Sequence, residues 1–204
     1  MAKLAERRKE LLDSMMKEAV YEGAVAVLTE YGLNGTTMDR VAAASGMAKG
    51  SLYNCFRSKQ ELLEFVHDRV VTPLHEAIDE VVEGSLDAGE KLAAITRLWR
   101  EHLVEHQAVF HFLINDQGAK QRLRNTEQSS LARGIKQVAT ILRQGIQEGM
   151  FRAADVTAVA EMLISAAVGM VEQEYAAGKS REVDEAVELL MSVFLHGLVV
   201  RPQP

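Results

Sequence analysis

A single cysteine, Cys55, in 204 residues leaves no possibility of an internal disulfide. Stability must then come from packing, and a reducing compartment, the cytoplasm, is the expected location. Prolines number three, two of them within the last three positions, so only Pro73 can interrupt a helix inside the chain. Aromatic residues make up 5% of the sequence, and no apolar run is expected to reach the length of a membrane span. The opening MAKLAERRKELLDSMMKEAV mixes charge with apolar residues throughout, which reads as an amphipathic helix rather than a signal peptide. Persistent alternation, fixed-period repeats and low-complexity tracts are also missing, which argues against sheet, solenoid and linker architectures. What remains is a chain rich in alanine, leucine, valine, methionine, glutamate and lysine, 48% hydrophobic and long enough to bury a sizeable core. The expected fold is all-α.

Apolar periodicity and breaks place a long helix over 7–31, with Leu11, Met15, Ala19, Val20, Val27 and Leu28 at helical spacing and Gly32 as its stop. A short second helix follows, capped by Thr36 or equally well by Thr37, and ends at Gly46. A third occupies about 48–54. Ser58 caps a fourth that runs to about 83 past Pro73. Further helices are expected at about 87–105, 107–114, 121–148, 155–177 and 182–199, about nine in all. The formal charge of −6 is unevenly spread: residues 1–72 hold ten basic and ten acidic side chains, whereas 73–204 hold thirteen and nineteen. Between positions 40 and 59 there are four basic residues (Arg40, Lys49, Arg57, Lys59) and no acidic one.

That basic window coincides with two short helices joined by ASGM, a helix-turn-helix arrangement whose Gly46 permits the turn. Val41, Ala42, Met47 and Leu52 would pack the pair, while Lys49, Ser51 and Asn54 project outward. The second helix would lie in the DNA major groove, and Gly50, lacking a side chain, would allow close approach. Tyr53 and Lys59 would hold phosphates, aided by the N-terminus of the fourth helix. Double-stranded DNA is therefore the expected partner.

The stretch TTMDRVAAASGMAKGSLYNCFRSKQELL resembles the DNA-binding domain of TetR-family transcriptional regulators, and the likeness spans about residues 10–65. It implies a three-helix DNA-binding domain at 1–58 and a larger helical effector-binding and dimerisation domain at 59–204. Carried over position by position, it places Thr36, Thr37, Lys49, Gly50, Ser51, Tyr53, Asn54 and Lys59 at DNA. Two letters depart from the family pattern. Ala48 stands where a serine hydroxyl would cap the helix, and Cys55 stands where an aromatic is usual. The resemblance further implies a homodimer built on the last two helices, a palindromic operator, a repressor role and release by a small-molecule effector.

The sequence agrees with that dimer physically. Ala158, Ala166, Ala167 and Gly169 would permit close helix approach, and VDEAVELLMSVFLHGLVV is apolar around much of its circumference. The segment LWREHLVEHQAVFHFLI concentrates aromatics, and Trp99, His102 and Phe110 are the expected pocket residues for an apolar or aromatic effector. No cofactor is required, no metal is assigned and catalysis is not expected. A rival reading rests on His102, Glu105 and His106, which match the H-x-x-E-H pattern of inverted zinc proteases and would make the chain a helical metal-binding protein or metalloenzyme. Glu64 and His67 resemble half of a di-iron carboxylate site whose other half is missing.

Overall fold

The computed structural model describes residues 2–107, 109–110 and 117–198. Among the described residues there are eight helices and no β-strand: α1 (Ala2–Gly35), α2 (Met38–Ala44), α3 (Lys49–Cys55), α4 (Lys59–Glu83), α5 (Ala88–Glu105), α6 (Gln117–Gln147), α7 (Val156–Ala177) and α8 (Val183–Leu198). The all-α expectation holds. The helix expected over 107–114 falls largely outside the described residues, as do His111 and Phe112. The chain forms two compact units, Met1–Arg69 with Ala108–Arg124, and Val70–Gln107 with Asn125–Pro204.

In the first unit, α1 departs from helical geometry at Gly32 (φ 63°, ψ −176°), where the sequence places its stop. Its buried residues, Val20, Ala24, Val27 and Leu28, follow the i, i+4, i+7, i+8 stripe of a core-facing helix. They share the unit's core with Val41 and Ala42 of α2, Leu52 of α3, and Leu62, Leu63 and Val66 of α4. Phe56 and Phe65 close one end with ring centroids 4.9 Å apart. Leu11 and Met15, at helical spacing with the buried residues of α1, lie outside the core: they are 63% and 62% exposed. The apolar stripe continues toward the N-terminus, but Leu4, Leu12 and Met16 are exposed as well, so the burial of α1 begins only near Val20.

In the second unit, α5 starts from a capping box in which Asp87 and Glu90 each satisfy the other's backbone N–H. Its buried face, including Leu92, Ile95 and Trp99, packs against α7 and α8. Buried polar groups are matched across helices. Lys91 donates to the Val82 carbonyl and to Gln144 at 2.8 and 2.9 Å. His75 of α4 meets Gln137 of α6 at 2.8 Å, and Gln137 in turn donates to Asp79. Asp155 caps α7 through the N–H groups of Thr157 and Ala158, and Gly178 ends it in the left-handed conformation. By length and composition α7 does reach the size of a membrane span, which corrects the sequence expectation. Only 22% of its apolar window is buried within the protomer.

Candidate nucleic-acid interface

The turn between α2 and α3 is built by local chemistry. Thr37 is the N-cap of α2, its hydroxyl accepting from the Arg40 N–H at 3.2 Å, so the cap left open between Thr36 and Thr37 is settled for Thr37. At the other end, Gly46 takes φ 65°, and the N–H groups of Gly46 and Met47 return to the carbonyls of Ala43 and Ala42. This paired closure is the Schellman arrangement, and a side chain at position 46 would strain it. Gly23 of α1 brings the helices together. A Cβ there would sit 2.3 Å from Ser45 Oγ and 2.8 Å from Ser45 N.

Seven residues make α3 too short to be stable alone, and it has no side-chain N-cap because Ala48 occupies that position. Its anchor is Leu52, 0% exposed, a burial worth roughly 1.5–3 kcal/mol. Leu52 is the only fully buried residue of the helix. Lys49, Gly50, Ser51, Tyr53 and Asn54 are all exposed, and Cys55 is half-buried. A Cβ at Gly50 would meet no atom within 4 Å. No packing among the described residues therefore demands a glycine there.

The other expected contacts are partly occupied by internal bonds. Lys49 Nζ lies 2.7 and 2.9 Å from the two Asp39 carboxylate oxygens, and that carboxylate raises the ammonium above its ordinary pKa by hydrogen bond and charge. The same ammonium sits 6.0 Å from the Tyr53 ring centroid. Thr36 is 2% exposed and donates its hydroxyl to Gly32 O at 2.7 Å. Lys59 is half-buried and donates to Leu33 O, so both bind the break at the end of α1. At the start of α4 the expected anion position is taken by the chain itself. Ser58 Oγ accepts from the Glu61 N–H at 3.2 Å, and the Glu61 carboxylate accepts from the Arg57 N–H at 2.7 Å. Sequence reasoning left two participants out of the site: Asp39, and Arg40, whose guanidinium lies 4.4 Å over the Tyr31 ring and donates to Gly35 O. Both stand in the first turn of α2.

The expected effector residues are assigned to two different units. Trp99 is 7% exposed on α5 of the second unit, and His102 is half-buried three residues on. Phe110 belongs to the segment grouped with the first unit. His102 Nε2 lies 2.7 Å from the Val70 carbonyl, and burial, then the neighbouring His106, lowers its pKa. Its ring is 4.5 Å from that of His106, and one ligand atom from each of His102, Glu105 and His106 lies within 4.8 Å of the others. Nearby, the buried Arg100 pairs with Glu174 at 2.7 Å, and Glu174 also holds Arg181 at 2.9 Å.

Residues 20–66 match the family model of bacterial regulatory proteins, tetR family. Over 200 residues the chain is 28% identical to the HTH-type transcriptional repressor KstR2 of Rhodococcus jostii (strain RHA1), covering 94% of this chain and 91% of the relative. A TetR-like transcriptional regulator from Rhodococcus sp. RHA1 superposes with a TM-score of 0.74 at 26% identity, covering 89% of this chain and 94% of that one. The ketosteroid transcriptional regulator KstR2 of Mycobacterium tuberculosis gives a TM-score of 0.74 at 24% identity, covering 91% and 95%.

Proposed function

We propose that this chain, which belongs to the TetR family of bacterial transcriptional regulators, is a cytoplasmic repressor that binds palindromic operator DNA as a homodimer and is released by a small-molecule effector. The observation that carries the reading is the exposed face of α3. Four side chains, Lys49, Ser51, Tyr53 and Asn54, project from a helix held by Leu52, and Gly50 between them is open, with no atom within 4 Å of an added Cβ. Such a face fits a major groove, with Lys49, Ser51, Tyr53 and Asn54 toward bases and phosphates. Thr37 stays exposed at the start of α2, whereas Thr36 and Lys59 act by bracing the end of α1. The division into a DNA-binding domain at 1–58 and an effector and dimerisation domain at 59–204 belongs to the same reading.

Support for the homodimer comes from the last two helices. Met162 and Tyr175 of α7 and Leu189 and Val193 of α8 are exposed in the protomer, and a Cβ at Gly169 would meet open space. A second copy would cover these surfaces and fit a twofold operator. An apolar or aromatic effector near Trp99 and His102 would release DNA only by binding the DNA-free state more tightly. Similarity along the whole chain to regulators does not favour the metalloenzyme alternative.

The test is fluorescence anisotropy with DNA from upstream of the chain's own gene. Binding should weaken as salt rises, and Lys49→Ala and Tyr53→Ala should each reduce affinity, with loss of one phosphate contact lowering the salt slope by about one. Binding that is absent at low salt, or indifferent to both substitutions, would refute the reading.

A further inference from the structure

We infer that His102, Glu105 and His106 form a binding site for one borderline divalent transition metal, of the zinc or cobalt kind, at the C-terminal end of α5. The repressor reading uses only His102 of this cluster, as an effector contact, and the metal site does not depend on that reading. The first support is spacing. Positions i, i+3 and i+4 share one helix face, and the three candidate ligand atoms already lie within 4.8 Å of one another. A tetrahedral ion with ligands at about 2.0–2.2 Å needs its donors roughly 3.4 Å apart. Side-chain rotation covers that difference, because Glu105 is exposed and His106 half-buried.

The second support is the bond behind the first ligand. His102 Nε2 faces the Val70 carbonyl at 2.7 Å, and a carbonyl can only accept, so this contact places the ring proton on Nε2 and the lone pair on Nδ1. A ligating histidine held through its other nitrogen by a backbone carbonyl is the usual outer support of a metal centre. That carbonyl belongs to α4, so the contact ties α5 to α4 behind the ligand. The third support is electrostatic. Glu105 is the last residue of α5 and His106 its C-cap, so the negative end of the helix dipole and the Glu105 carboxylate both favour a cation there.

Two imidazoles and one carboxylate select a borderline ion over calcium or magnesium, which prefer oxygen-only sets. Three protein donors leave a fourth position for water or a further donor. Bound there, the ion would fasten the final turn of α5 to α4 through His102 and the Val70 carbonyl.

The experiment uses the full chain, free of affinity-tag histidines and stripped by chelator, titrated with Co²⁺ alone and then with Zn²⁺. The expected result is the intense visible absorption of a four- or five-coordinate cobalt ion, saturating at a single equivalent per chain and abolished by Zn²⁺. His102→Ala and His106→Ala should each weaken cobalt binding by about tenfold or more, with Glu105→Gln weakening it less. Circular dichroism checks that each variant keeps its helices. Should His102→Ala unfold, the other two variants decide, because their side chains are not part of the core. No visible band, or a band that His106→Ala and Glu105→Gln leave unchanged, overturns the inference.

Discussion

Glu174→Ala is expected to be among the most damaging single substitutions in the second unit. Arg100 is almost fully buried, its side chain 2% exposed, and its charge is balanced by a Glu174 carboxylate that is 10% exposed. The guanidinium is unevenly satisfied. Nη2 donates to Glu174 and to Arg181 O, both at 2.7 Å, and to Ser180 Oγ at 3.2 Å, whereas Nε and Nη1 are buried with no partner among the described residues. Each orphan donor already costs about 1–3 kcal/mol. Removing Glu174 adds an uncompensated buried charge, which costs about 3–5 kcal/mol. For a chain of this size that corresponds to a fall in Tm of roughly 6–20 °C, at about 2–4 °C per kcal/mol. The Arg181 pair adds little, because Arg181 is 43% exposed. Replacing both charges, Arg100→Met with Glu174→Leu, removes the orphans together with the pair and should restore most of the loss. The assay is urea denaturation of the wild type, Glu174→Ala and the double variant at one fixed protein concentration, since dimerisation makes the midpoint concentration-dependent. A loss below about 1 kcal/mol in Glu174→Ala, or a double variant worse than the single, would refute the reasoning.

Two further outcomes follow from the electrostatics. Asp39→Asn should tighten binding to operator DNA, most clearly at low salt, because Lys49 no longer leaves a carboxylate to reach a phosphate; weaker binding in a salt titration would mean that Asp39 itself helps position the interface. Asp79 has its carboxyl held below the ordinary range by hydrogen bonds from Arg133 and then Gln137, so the folded state binds its proton less readily than the unfolded chain. The stability advantage of wild type over Asp79→Asn should therefore be present at neutral pH and shrink as pH falls below the unfolded carboxylate value of about 3.9 toward the folded one. Denaturant midpoints measured along that pH range check it, and a gap that widens on acidification contradicts the assignment.

The helix-turn-helix is legible in sequence because its signals are local. Thr37 and Gly46 sit within two turns of the groups they bond, so residue type and spacing nearly determine the geometry of the turn. The grouping of His102, Glu105 and His106 is legible for the same reason, since one helix turn sets it. The reach of α1 is not. Leu11 and Met15 continue the same periodicity as Val20 and Val27, and a hydrophobic pattern states which face would be buried without stating whether a neighbour arrives to bury it.

The sequence by itself determined the helical class, the places where helices stop, and the outward positions of Lys49, Ser51 and Asn54 on α3. These follow from propensity, capping and period, which act over a few residues. Only the tertiary structure decided that Lys49 is paired with Asp39, that Lys59 and Thr36 serve the end of α1, and that Arg100 lies buried against Glu174, seventy-odd positions away. The physical reason is that a charged or hydroxyl side chain can satisfy its hydrogen bonds with solvent, a neighbour or a ligand alike, and which of these it meets depends on how distant helices are brought together.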